Sequence, residues 1–287
     1  MRPDHDRVLV GVSTVDERLP MVRWAAAEAA ARGAELRLVT AVPPATDLER
    51  HLPSNSTAAI HERARHRLTR ATREAKSAHP ELGVTAETTD GAPTDVLPDH
   101  GESADLLVVG ADDRSPFAEA MSGSVPGTLL TTSPCPLAVV PKTVPPTTAD
   151  APVLAAIDQP GTSLAALAYA FAAAQRAHRP LRVLRCLPDG RLPDTSEHEH
   201  HLMVLGFGAL HPAVSVSEVT VRGDPADVLA THSRRAALLV LGSRGRGRLA
   251  STLFGSVSRY LIRRSGCPVV VARSRSDSHT HLVGGEA

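Results

Sequence analysis

The chemistry-bearing residue types of this chain are densest between positions 242 and 258. Gly242, Ser243, Arg244 and Gly245 are followed by nine residues and then by Gly255, Ser256 and Ser258. An apolar run ending at Leu241 delivers the backbone to this loop. Gly242 permits a conformation and a close approach that a Cβ would obstruct, and Gly245 does the same a turn later. Gly255-Ser256 opens a helical stretch, whose free N–H groups and dipole favour an anion. Ser256 and Ser258 add hydroxyl donors, and the nine-residue arch can bring both glycine segments onto the same phosphates. Asp158 closes an earlier apolar run, 153–157, where a carboxylate can accept from a ribose hydroxyl or an adenine amino group.

Each of these residues also has a plainer reading. The glycines suit turns, and Asp158 suits a helix cap or an Asx-turn. Arg244, Arg246 and Arg248 either gather phosphate or coat the loop. The cluster Glu197-His198-Glu199-His200-His201 places His198 and His201 on one helix face, as a metal pair would need. No third ligand stands at suitable spacing, which favours a solvated face, and no metal site is expected. The phosphate loop lacks the lysine of a GxxxxGK[ST] motif. Spacing reveals no Ser–His–Asp or Cys–His arrangement and no general base, so no catalytic residue is assigned. The three cysteines form no CxxC pair, which argues against a disulfide framework or a zinc site. Cys135 and Cys267 precede prolines and read as packing residues, whereas Cys186 is placed to line an adenine pocket.

The elements that must position these residues occur twice. Gly110, Gly123 and Cys135 correspond to Gly242, Gly255 and Cys267, each 132 positions later. The segment 91–97 (GAPTDVL) matches 223–229 (GDPADVL) at the same offset, and 8–13 (VLVGVS) matches 153–158 (VLAAID) at an offset of 145. The thirteen-residue difference falls in the second helical region, which is longer in the first half. This is a duplicated unit. Strands are expected at 8–12, 35–41, 84–87, 106–109 and 137–140, then at 153–157, 181–186, 216–221, 238–241 and 269–272. Helices are expected at 20–32, 57–78, 93–100 and 124–132, then at 163–177, 195–209, 225–233 and 256–264, with Gly33 ending the first. Near-continuous Val/Leu strands alternating with helices predict an α/β chain of two tandem doubly wound domains. Each has a five-stranded parallel sheet covered on both faces. Such sheets bind ligands beyond the strand C-termini, at the switch in strand order. The domains are read as 1–142 and 153–273, with a Pro/Thr-rich linker at 143–152 and a polar, disordered tail at 274–287.

Bulk composition narrows the classes. Of 287 residues, 31 are Lys or Arg and 31 are Asp or Glu, and aromatics make up 2%, so the cores must be aliphatic. A neutral, aromatic-poor chain lacks the basic footprint and stacking platforms of a nucleic-acid binder. The polar start at 1–7 shows no signal peptide, and no run of 18 apolar residues exists. The expected location is the cytoplasm, without a membrane partner.

The ordered pattern G-x2-G-x9-G-S, after an apolar strand and before a helix and a Cys-Pro-Val strand, resembles the ATP-binding universal stress proteins. The opening VLAAIDQPGTSLAAL is similar to that family's first strand and helix, including its nucleotide-contacting Asp. The resemblance covers 7–273 as two copies and implies the universal stress protein fold, of the adenine nucleotide α-hydrolase-like class. It implies nucleotide contacts at Ala156, Asp158, Leu241, Gly242, Gly245, Gly255, Ser256, Val257 and Ser258, with Ala156 and Leu241 acting through backbone or packing. It further implies ATP, with or without Mg2+, as the cofactor and a regulatory or signalling role in stress response. ADP, AMP and cyclic AMP stay open as ligands, and a slow ATPase or an interaction module without nucleotide stay open as roles. Family domains pair through their last strands, so 137–140 is expected beside 269–272 within the chain, with a homodimer and an unidentified protein partner beyond that.

The first half departs from the pattern twice. Ser13 stands where Asp158 stands in the second, and Asp113 replaces the second glycine beside Asp112. Like charges this close near a surface repel by up to ~4 kcal/mol, which would cost phosphate ~2–3 decades of affinity. The first site is therefore expected to be degenerate.

Overall fold

The computed structural model of the chain describes residues 6–13, 19–43, 57–111, 124–158, 160–187, 196–242 and 256–273. The chain divides into two compact units, Met1–Lys142 and Thr143–Ala287. In the first unit the described elements run β1 (Arg7–Gly11), α1 (Leu19–Arg32), β2 (Glu35–Val42), α2 (Thr57–Ala78), β3 (Val84–Asp90), α3 (Pro93–Gly101), β4 (Leu106–Gly110), α4 (Val125–Thr132) and β5 (Leu137–Val140). Its sheet is parallel throughout, in the order β3-β2-β1-β4-β5.

The second unit repeats the plan with β6 (Val153–Ile157), α5 (Pro160–Ala177), β7 (Leu181–Leu187), α6 (Ser196–Leu210), β8 (Val216–Arg222), α7 (Pro225–Ser233), β9 (Leu238–Gly242), α8 (Ser256–Arg264) and β10 (Val269–Ala272). Its order is β10-β9-β6-β7-β8, again all parallel. Central strands are buried on both faces, which is why LLVVG and LLVLG read as unbroken apolar runs. The outer strands β3 and β8 carry VTAETTD and VSEVTVR and are partly exposed. β3 extends to Asp90, beyond its apolar start, because Thr88–Asp90 continues the ladder against Thr40–Val42 of β2. α5 starts at Pro160, where the fixed proline φ suits a first helical turn and no N–H is lost.

The cores are aliphatic, as the composition requires. Leu9, Leu36, Leu38, Leu106 and Leu107 are fully buried in the first unit and Leu154, Leu167 and Leu181 in the second. Phe171 is the exception, buried in the second unit with Phe207 and His211 stacked on it at 5.6 Å centroid separations. Helix ends follow one scheme with different residues. Gly33 ends α1 at φ +65°, with its N–H on Ala30 O and that of Ala34 on Ala29 O. His178 holds the same position after α5 at φ +50°, with the equivalent bonds to Gln175 O and Ala174 O.

The next residue, Arg179, holds the connector that precedes β6. Its guanidinium donates to the carbonyls of Thr148 at 2.7 Å and Ala151 at 3.0 Å and to Thr147 Oγ1 at 3.2 Å. From Thr147 onward the Pro/Thr-rich stretch is therefore part of the second unit rather than a free tether. Among the described residues, no helix is long and apolar enough to cross a membrane.

Candidate functional site

In the second unit the strand order reverses beside the first strand. β6 leads to β7 and β8 on one side, and the chain then crosses to β9 and β10 on the other. Loops leaving β6 and β9 must part company there, and a crevice opens at the carboxyl edge between them. Ala156 pairs with Leu241 of β9 on one flank and with Leu184 of β7 on the other. Gly242, the last residue of β9, lies opposite Ala272. Asp158, exposed, follows β6 directly. Four of the residues marked out by the sequence, Ala156, Asp158, Leu241 and Gly242, thus share the carboxyl edge of two adjacent strands.

α8 returns the chain from β9 to the parallel β10, so it runs against the strands and begins at that same carboxyl edge. Ser256 is its exposed first residue, with Val257 and Ser258 half-buried behind it. The first N–H groups of such a helix have no intrahelical acceptor, and its dipole adds partial positive charge. An anion donor set and an acidic acceptor therefore occupy one edge of one sheet. Gly245 and Gly255 lie outside the described residues, as do Arg244, Arg246 and Arg248.

One residue at this edge has a role that the sequence reading missed. Asp224 follows β8 and caps α7, its carboxylate accepting from the N–H groups of Ala226 at 2.9 Å and Asp227 at 3.3 Å. Its signal was the mismatch of Ala92 with Asp224 in otherwise matching segments. Cys186 stands between the two carboxylates by register, because Ile157 pairs with Arg185 and Leu187 with Arg222. Burial, then Asp224, then Asp158 push its thiol up to about 11. The β6–β8 flank of the edge thus carries the carboxylates of Asp158 and Asp224, with Arg185 and Arg222 at the ends of the same strands, while the β9–α8 flank offers N–H and hydroxyl donors.

The first unit's edge differs. Ser13 is exposed after β1 and Gly110 ends β4, whereas Asp112, Asp113 and Gly123 lie outside the described residues. Ser124 caps α4, its Oγ accepting from Gly127 N at 3.1 Å. A third departure, also overlooked, is Pro126, which occupies the place of Ser258 at the 132-residue offset. Proline removes an N–H donor from the first turn, and the serine hydroxyl is lost with it.

Among the described residues, the histidine cluster on α6 is not joined by a third metal ligand. His201 Nδ1 lies 2.8 Å from Glu218 Oε1, His198 is exposed, and His200 is buried with Nε2 3.5 Å from Ser163 Oγ. Among the described residues no group of three or more His, Cys, Asp or Glu could hold a metal ion. Cys135 and Cys267 are buried, and the latter's thiol is pushed up to about 12, chiefly by that burial.

Comparison with known proteins gives one consistent answer. The model of the universal stress protein family matches residues 5–141 and again 151–273. The chain is 32% identical over 284 residues to the universal stress protein Rv2623 of Mycobacterium tuberculosis, covering 93% of this chain and 96% of that one. It is 30% identical to Rv2005c of the same organism with the same coverage. A crystal structure of a universal stress protein from Archaeoglobus fulgidus superposes with a TM-score of 0.72 at 20% identity, over 93% of this chain and 96% of that one, a likeness of fold.

Proposed function

The chain belongs to the universal stress protein family as two tandem copies, and on that premise we propose that its second unit binds an adenine nucleotide, ATP, as a regulatory signal. The observation that carries this reading is the shared carboxyl edge at the strand-order switch, where Asp158, Gly242 and the start of α8 converge. The donor set fits the ligand. The α8 N-terminus with Ser256 and Ser258 would hold phosphate oxygens, with Val257 contributing its N–H. Gly242, Gly245 and Gly255 would let the backbone approach the phosphates. Asp158 would accept from the ribose or the adenine amino group. Ala156 and Leu241 would pack on the base beside Cys186. The N–H-rich start of α8 would attract phosphate, and Asp158 on the opposite flank would accept from the sugar or base, which gives the ligand one orientation.

ATP bound there supplies charge and shape that a partner can read, and nothing among the assigned residues would activate a water at its phosphates. Turnover is expected well below the ~10 s⁻¹ median of enzymes. Mass spectrometry of nucleotide released from purified protein tests the ligand, and adenine nucleotide should be recovered. Brisk phosphate release that vanishes in Gly245→Asp would replace this reading by an ATPase. The same proposal includes a cytoplasmic stress-response role exerted through a protein partner rather than a nucleic acid or membrane, and a homodimer. It also includes pairing of the halves through Leu137–Val140 and Val269–Ala272, which cross-linking mass spectrometry of the full chain would test.

A further inference from the structure

The outer surface of α7 and α8 is rich in arginine. Arg234 and Arg235 follow α7, and Arg259, Arg263 and Arg264 stand on α8, all five exposed. The two helices lie side by side. Tyr260 donates to Asp227 Oδ1 at 3.2 Å and Gly266 N to Ser233 Oγ at 2.9 Å, and a Cβ at Gly266 would lie 2.8 Å from Arg234 Cα. Among the described residues, Arg234, Arg235, Arg259 and Arg264 form no ion pair.

The equivalent surface of the first unit has the opposite sign. At the 132-residue offset Glu102 stands in place of Arg234, Gly127 in place of Arg259, and Thr131 and Thr132 in place of Arg263 and Arg264. Segments 93–103 and 124–134 contain Asp95, Asp99 and Glu102 and neither Lys nor Arg. These three carboxylates are exposed on one helical face and, among the described residues, form no ion pair. Arginines at a helix C-terminus suit its dipole, but carboxylates there oppose it. Asp99 lies in the last turn of α3 and Glu102 is its C-cap, while His100 between them faces Glu87 at 3.4 Å. α3 thus keeps two charges that its own helix disfavours, which implies a complement from outside.

We propose that the arginine surface of α7 and α8 docks a second copy of this chain, receiving that copy's Asp95, Asp99 and Glu102. Guanidinium forks match carboxylates in paired geometry. Each copy offers both signs, so a two-fold axis forms the contact twice in a closed dimer. The pairing does not depend on what the second unit binds.

Sedimentation equilibrium of the full chain over roughly 1–200 µM tests this. Wild type should dimerise at ~50 mM salt and associate at least ~tenfold more weakly at ~500 mM, where screening shortens to a few ångströms. Arg235→Glu with Arg264→Glu sets like charges together and should also weaken association at least ~tenfold, as should Asp99→Arg with Glu102→Arg. The second pair suits the dipole of α3, so unfolding would not explain its loss of association. An equimolar mixture of the two charge-reversed proteins should associate as wild type does, because opposite signs then meet in both contacts. Wild type that stays monomeric at low salt overturns the proposal. So does a dimer that survives high salt or either reversal, or a mixture that stays monomeric.

Discussion

Asp158 and Cys186 show how single residues acquire meaning from their neighbours. Asp158 follows β6, whose last residues lie beside Leu241 of β9 and beside Leu184 and Arg185 of β7, and this places its carboxylate at the carboxyl edge as the acceptor we propose. A charge-assisted bond to a ribose hydroxyl or an adenine amino group contributes about 1.5–3 kcal/mol. Asp158→Ala should therefore weaken ATP binding by about that amount while leaving the unfolding transition in place, and titration calorimetry would read both the loss and the unchanged stoichiometry. Unchanged affinity would reduce Asp158 to a turn residue. Cys186 gives a pH signature. Its folded pKa is raised from an ordinary 9.0 to about 11, so the folded chain holds the thiol proton more tightly than the unfolded chain does. The stability from this difference is complete below pH 9 and is lost as pH rises through about 11. Denaturant unfolding of Cys186→Ser should accordingly show a shallower alkaline decline than wild type. Alkylation of Cys186 at neutral pH should be slow, since little thiolate is present.

At the scale of elements, the two halves solve the same geometric problems with different residues. The left-handed residue after the first helix is Gly33 in one unit and His178 in the other. A side chain in that region costs ~1–2 kcal/mol, while glycine returns ~0.5–1 kcal/mol of that through its freer unfolded chain. His178→Gly should stabilise the protein by roughly 0.5–1 kcal/mol, seen as a higher denaturation midpoint with an unchanged m-value. A lower midpoint would show that the imidazole makes contacts that outweigh its strain. The helices that follow the glycine loops also diverge. α8 begins Ser-Val-Ser, whereas α4 begins with Val125 and Pro126 behind a Ser124 already engaged as a cap. The N–H donors needed by a phosphate are thus fewer in the first half, even before its acidic loop is considered.

For the whole molecule these differences predict asymmetry. Each chain should bind one nucleotide, in the second unit. Gly245→Asp should empty that site, because it copies the residue type of Asp113. Restoring the first unit requires Ser13→Asp, Asp113→Gly and Pro126→Ser together, with Asp112 still opposing phosphate. Equilibrium dialysis of wild type, Gly245→Asp and the triple variant reads this directly, and two equivalent sites in wild type would refute the account of the first half. A second prediction concerns the connector. Arg179 holds Thr147, Thr148 and Ala151 through its guanidinium, so Arg179→Ala should expose that segment to limited proteolysis several-fold more readily than in wild type. No change in cleavage would mean that other contacts order it.

Much of this was legible in the linear sequence, because burial imposes a pattern that chemistry cannot disguise. Strands buried on both faces must be continuous runs of Val and Leu, so β4, β5, β9 and β10 could be read from residue type alone. A duplicated unit repeats its glycines at a fixed offset, so a candidate site could be proposed from the sequence and its first copy expected to be degenerate. The limits were equally physical. β3 outran its apolar start because its polar end, Thr88–Asp90, is held by backbone pairing, which has no side-chain signature. Asp224 and Cys186 are 38 residues apart in sequence and adjacent only because parallel pairing sets three strand ends at one edge. Pro126 by itself is an ordinary first-turn proline, and its meaning comes from the equivalence of α4 and α8. The exposed leucines of α6 could not be told from core residues in the sequence, since an apolar residue does not state which way it faces. The sequence alone determined which elements form and which residue types stand at their ends. The tertiary structure decided which ends meet and which apolar faces stay uncovered, because both depend on contacts between residues distant in the chain.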